Sequence, residues 1–283
     1  MNYKNIKAIL VLGLLICSSL SYSQDSNFHI YLCFGQSNMA GSAPAEAQDS
    51  IVSSRFKMLS AMDCPDRGRV MGNWDTAIPP ISDCNAGISP ADYFGRTLIE
   101  NLPDSITIGV INVSVGGSRI ELFDKYNHQD YIETAPDWMI GWIENYGGNP
   151  YGRLVEMARI AQKDGVIKGI LLHQGESNPN DTLWVNKVQD IYDNLLADLM
   201  LDPENTPILA GEMLSDEFGG RCHGFNHFIN LLPGVISNAH VVSSAGCPGM
   251  DDGLHFTSEG YRMLGKRYGK KMLEVNYGIL NSK

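Results

Sequence analysis

The chain has 283 residues, 43% of them hydrophobic, and its 32 acidic side chains outnumber 21 basic ones to leave a formal charge of −11. That balance argues against nucleic acid or an anionic lipid surface as a partner and is compatible with neutral ligands. The apolar content supports a sizeable core, and no repeat, low-complexity tract or linker-like stretch divides the sequence.

The N-terminal segment carries Lys4 and Lys7, an uncharged run follows from Ala8 to Leu20, and Ser21-Tyr22-Ser23 puts small residues where a signal peptidase cuts. Residues 1–23 therefore read as a signal peptide and 24–283 as one secreted or periplasmic domain. The apolar run is too short to span a membrane, and the bulky Ile16 makes Cys17 a poor lipid-anchor site. Cleavage removes two lysines and no acid, which takes the charge from −11 to −13. Of the cysteines that remain, Cys64 with Cys84 and Cys222 with Cys247 are the disulfides expected in an oxidising compartment, with Cys33 left as a buried strand thiol. No Cys-x-x-Cys occurs, and His223 and His227 lack a third ligand, so neither a metal nor another cofactor is expected.

Strand-like runs recur at Phe28–Phe34, Ile106–Val113, Ile167–His173, Pro207–Gly211 and His240–Ser243. Helical patterns alternate with them. Pro90 suits the first position of a helix through Leu102, and Leu154, Met157, Ala158 and Ala161 keep helical spacing, as do Val188, Ile191, Tyr192, Leu195 and Leu199. Thr257 can cap a last helix reaching about Asn276. The pattern predicts an α/β three-layer sandwich, with a central parallel sheet of about five strands and helices on both faces. Two stretches look irregular: Gly41 to Ser89, with Trp74, and Ser118 to Asn149, with Tyr126, Tyr131, Trp138, Trp142 and Tyr146. Long loops at a sheet edge commonly build recognition surfaces, and aromatic groups of this density suit sugar stacking as well as loop packing.

The polar residues that follow the strands carry the chemistry, because ligands of such sheets gather beyond the strands' carboxyl ends. Ser37, in Gly35-Gln36-Ser37-Asn38-Met39, follows the first apolar run; Asp252 and His255 sit three apart just before the last helix. An imidazole that takes the serine proton while a carboxylate holds its other nitrogen makes Ser37 an acyl-transfer nucleophile. Donors for the developing oxyanion are available from the Ser37 amide, from Gly116-Gly117 and from the side chain of Gln174, in His173-Gln174-Gly175-Glu176-Ser177-Asn178. Glu176 is placed either to orient Gln174 or to approach His255 as an auxiliary acid. Asn38, Trp74, Arg119 and Asn178 are the candidate substrate contacts.

These blocks resemble the SGNH hydrolases, and within them carbohydrate esterase family 6, the acetylxylan esterases, which are related to the sialate O-acetylesterases. The similarity runs from about Phe28 to Leu273. It implies a Ser37 acyl-enzyme, no cofactor, and deacetylation of a polysaccharide or oligosaccharide such as xylan. It also places Gln174 where more distant SGNH relatives have an asparagine as oxyanion donor. A sialate O-acetylesterase is the alternative activity, with Arg119 as the cation for the sugar carboxylate. Outside enzymes the alternative is an inactive carbohydrate-binding relative.

Overall fold

The computed structural model describes residues 24–280, so the signal-peptide reading of residues 1–23 falls outside the described residues. In order the chain forms β1 (Asp25–Gly35), α1 (Ser37–Ala40), β2 (Phe56–Leu59), β3 (Trp74–Thr76), α2 (Pro90–Asn101), β4 (Thr107–Ser114), α3 (His128–Ile132), α4 (Asp137–Glu144) and α5 (Pro150–Ala161). There follow β5 (Gly165–His173), α6 (Trp184–Leu199), β6 (Ile208–Gly211), α7 (Asn226–Ile229), β7 (Ala239–Val242) and α8 (Ser258–Tyr277). The strands make one sheet in the order β3-β2-β4-β1-β5-β6-β7, parallel except where β3 runs against β2.

The α/β sandwich is as expected from the alternation of strands and helices, but the sheet has seven strands rather than about five. The two additional strands lie inside the stretch read as irregular. They are four and three residues long in a stretch without sustained periodicity, and pairing with β4 and with each other is what defines them.

Side chains of β1 point alternately to the two faces. Ile30, Leu32 and Phe34 pack with Leu154 and Met157 of α5 and Val188 and Leu195 of α6, whereas Tyr31 and Cys33 pack with Phe94 and Leu98 of α2 and Leu264 and Tyr268 of α8. Each such buried Leu or Phe contributes about 1.5–3 kcal/mol. The helix starts follow their sequence signals. The Ser89 amide donates to Asp92 Oδ2 at 2.8 Å ahead of Pro90, and Thr257 Oγ1 accepts from the Gly260 amide at 3.1 Å.

Cys64 and Cys84 form a disulfide that fastens the segment between β2 and α2; closing a loop of this size is worth about 3 kcal/mol. The expected Cys222–Cys247 bridge is absent: both are free. Cys247 is buried in the core beneath α2 and α8, while Cys222 borders the core on the opposite face of the sheet, so their sulfurs cannot meet.

The strand ends position the site. β1, β4 and β5 finish in register, with Gly35 beside Ser114 on one side and His173 on the other. Everything that follows these three strands therefore emerges at one edge.

Candidate active site

Ser37 opens α1 immediately beyond that edge. Gly35 makes the turn possible: its φ is +151°, and a Cβ would stand 2.1 Å from the His173 carbonyl oxygen, which instead accepts from the Gln36 amide at 3.1 Å. The turn presents Ser37 Oγ to His255 Nε2 at 2.9 Å, and His255 Nδ1 faces Asp252 Oδ2 at 2.6 Å. With Nδ1–H held by the carboxylate, Nε2 is left to accept the serine proton. Asp252 also accepts from the amides of Leu254 at 2.8 Å and His255 at 3.0 Å, so the loop bends around the carboxylate. Partial burial pushes this carboxyl up, but the bonds from the His255 amide and imidazole and from the Leu254 amide outweigh it and hold the pKa at about 2.

A cleft of ≈ 370 Å³ lies over Ser37 and His255, lined also by Gln36, Ser42, Gly116, Gly117, Trp138 and Trp142. No Lys or Arg lines it. Trp138 and Trp142, one turn apart on α4, are 57% and 49% exposed and meet edge-to-face at 5.4 Å. Gly117 has φ +70° and sits so close beneath the first ring that a Cβ would come within 2.7 Å of it. The stretch read as irregular thus folds a helix over the glycine turn. Ser37, at the first helical position, has no intrahelical acceptor for its amide, and the amides of Gly116 and Gly117 have no acceptor among the described residues.

Gln174 is placed differently from the expectation. It is 1% exposed and does not line the cleft. Its Oε1 accepts from Trp184 Nε1 at 2.5 Å, which fixes the amide's orientation, and its Nε2 donates to Asn178 Oδ1 at 2.6 Å and to Ser118 O and Gln36 Oε1 at 3.2 Å each. Gln36 is the amide that reaches the cleft. Its Oε1 accepts from Gln174 and from the backbone amides of Ser177 and Gly175, and its Nε2 meets no acceptor among the described residues. Its neighbour Ser37 drew the sequence reading; only the tertiary arrangement distinguishes Gln36 from Gln174.

A family model described as "SASA: Carbohydrate esterase, sialic acid-specific acetylesterase" matches residues 27–274. The chain belongs to this carbohydrate esterase family. It is 24% identical over 250 residues to a "Probable carbohydrate esterase" of Arabidopsis thaliana, covering 83% of this chain and 86% of that one. The X-ray structure of that plant protein superposes with a TM-score of 0.68 at 25% identity, over 88% of this chain and 98% of that one. NanS superposes at 0.61 over 89% of this chain and 98% of its own, and a carbohydrate acetylesterase from Xanthomonas citri at 0.58 over 88% and 57%; both are 17% identical and share the fold.

In this carbohydrate esterase one of the remaining expected contacts, Asn38, lines the cleft, and the other three take other places. Asn38 is buried in the cleft wall: its Nδ2 donates to Glu176 Oε1 at 2.6 Å and to the Leu254 carbonyl at 3.0 Å, and its Oδ1 accepts from the Tyr261 hydroxyl at 2.6 Å. It braces the loop that carries His255. Asn178, also buried, accepts from the Ile120 amide and donates to Glu121 and Asp181, so it is a strut of the glycine-turn segment. Trp74 lies at the opposite end of the sheet, against Phe28 near the start of β1, with Nε1 donating to Asp164 at 2.9 Å. Arg119 pairs with Glu121 at 3.5 Å and does not line the cleft.

Glu176 does line the cleft. Burial pushes its carboxyl up, against the opposing Asn38 hydrogen bond, and burial lowers His173, 3.7 Å away, to about 3. A neutral imidazole makes no ion pair, so Glu176 faces His173 without charge compensation. A second cavity of ≈ 370 Å³, between the Ile120–Asn127 segment and α6, is lined by the Lys187–Glu121 ion pair and by no serine–histidine pair. Among the described residues no set of three His, Cys, Asp or Glu is arranged around a metal position.

Proposed function

We propose that this carbohydrate acetylesterase of the SGNH type removes O-acetyl groups from neutral plant-wall saccharide, xylan or xylo-oligosaccharides, through a Ser37 acyl-enzyme. The hydrogen-bonded line Ser37–His255–Asp252 at the floor of a tryptophan-walled cleft carries the reading. Ser37 Oγ attacks the acetyl carbonyl carbon as His255 Nε2 takes its proton, and Asp252 holds the imidazolium that forms. The oxyanion points to the amides of Ser37 and the Gly116-Gly117 turn, with Gln36 Nε2 as the side-chain donor in place of Gln174. Collapse expels the sugar oxygen, which takes the proton from His255; water then attacks the acyl-enzyme by the same relay and releases acetate.

Neutral sugar is favoured by the lining, in which a sialate carboxylate would find Glu176 and no cation, whereas Trp138 and Trp142 offer faces for a pyranose ring. The rival sialate O-acetylesterase reading has NanS on its side through shared fold. The non-catalytic reading has to explain a nucleophile, base and carboxylate kept at bonding distance. Secretion is part of the proposal and is supported by the Cys64–Cys84 disulfide; no helix among the described residues is long and apolar enough to cross a membrane.

Acetate release from acetylated xylan and from O-acetylated sialic acid tests the substrate, with preference for xylan expected and preference for sialic acid overturning it. Labelling by a serine-directed phosphonate tests the chemistry. An adduct on Ser37 is expected, and an unmodified Ser37 would leave the protein a binder.

A further inference from the structure

The cleft does not end at Ser37. On its far side a second hollow of ≈ 200 Å³ is lined by Asp83, Asn85, Ala86 and Asn145 and shares Ser37, Ser42, Gly116 and Trp142 with the main cleft. The two are one groove crossing the nucleophile, with Trp142 between them. Building on the reading above, we propose that this far arm is a second sugar subsite: it takes the ring adjoining the acetylated one, so that the enzyme acts on oligomers in preference to single sugars.

The arm's chemistry fits a neutral, hydroxyl-rich ligand. Asn85 and Asn145 are exposed, and their side-chain amides have no protein partner among the described residues, so each offers a donor and an acceptor. Asp83 adds a carboxylate, and no Lys or Arg is present to seek an anion. The volume is below the roughly 300 Å³ typical of pockets for larger ligands and suits about one ring.

The arm is also held in shape before any ligand arrives, which limits the entropy lost on binding. Cys84 is tied to Cys64, and its carbonyl accepts from Arg67 Nε at 2.9 Å. Asp83 Oδ1 accepts from the Asn85 amide at 2.8 Å and closes the turn. Ser82 Oγ donates to the Ala40 carbonyl at 2.7 Å, and the Gly87 amide donates to the Gly41 carbonyl at 2.8 Å, so the loop is fastened to the very helix that begins with Ser37. The disulfide, distant in sequence from the nucleophile, is thereby part of the substrate groove.

The test compares kcat/KM for an acetylated xylo-oligosaccharide with that for acetylated xylose, in the wild type and in the double variant Asn85→Ala/Asn145→Ala. The wild type should prefer the oligomer by about tenfold or more, and the variant should lose most of that preference, the loss of one or two neutral hydrogen bonds. Cys64→Ser/Cys84→Ser should reduce the preference by loosening the loop. Equal use of both substrates by the wild type, or a preference undiminished in the double variant, overturns the subsite. A variant that instead changes the ratio of acetyl to butyryl p-nitrophenyl ester turnover also overturns it, and makes the arm an acyl pocket. Acetate released from neither saccharide, with Ser37 still labelled by phosphonate, removes the substrate reading and the subsite together but leaves the nucleophile standing.

Discussion

Beyond β1 the chain reads Gly35-Gln36-Ser37-Asn38, and beyond β5 it reads His173-Gln174-Gly175-Glu176; both segments cross the same edge of the sheet. The first lines the cleft with Gln36, Ser37 and Asn38, although the Asn38 side chain is spent on bonds to Glu176, Leu254 and Tyr261. The second turns most of its polar groups inward, Gln174 towards Trp184 and Ser118, His173 against Phe256, and leaves only Glu176 and Ser177 at the cleft wall. A run of polar residues at a strand end therefore marks either a contact surface or the frame beneath one. What separates them is where each atom's hydrogen bonds go.

The sharpest break of this comparison is in the first loop and its partners. Ser37→Ala, with Tm unchanged, or His255→Ala should lower kcat on the order of 10⁶-fold, and Asp252→Asn by about 10⁴-fold; near-normal turnover in steady-state assays of any of them would remove the relay. The Asp252 carboxyl should titrate near pH 2 by NMR, below its ordinary 3.8. Because the folded value is the lower one, the hydrogen bonds to Asp252 add stability that is fully present above about pH 4 and lost as the pH falls through 2. A midpoint near 4 would mean that these bonds do not persist in solution.

The second loop gives the next largest effect. Gln174→Ala strands the Trp184 indole N–H and frees Gln36, so we expect a stability loss of about 1–3 kcal/mol in urea unfolding and a fall in kcat of about tenfold through the misplaced Gln36 amide. A direct oxyanion donor would behave otherwise, with kcat lower by about 10²–10³ and stability unchanged. The smallest effect belongs to the far end of the sheet. Trp74→Phe should cost about 0.5–1.5 kcal/mol for the bond to Asp164 and leave KM for acetylated xylan as it was; a clear rise in KM would return Trp74 to the substrate groove.

Much of this molecule was legible in one dimension because the relevant signals are local. Five of the seven strands and four main helices followed from periodicity, Pro90 and Thr257 from capping chemistry, and the meeting of Ser37, Asp252 and His255 from residue types whose joint presence suits one reaction. The Cys64–Cys84 pair was accessible for the same reason: twenty positions apart in one loop, the two cysteines stay near each other. The short strands β2 and β3, the roles of Gln36 and Gln174, the burial of Asn38 and Asn178, and the separation of Cys222 from Cys247 were decided only in three dimensions. Each depends on which face of the sheet a group reaches and on partners as many as 223 positions away, as with Asn38 and Tyr261. Side-chain type sets what chemistry is possible, while packing sets which of two similar amides meets the cleft and which is enclosed beneath it.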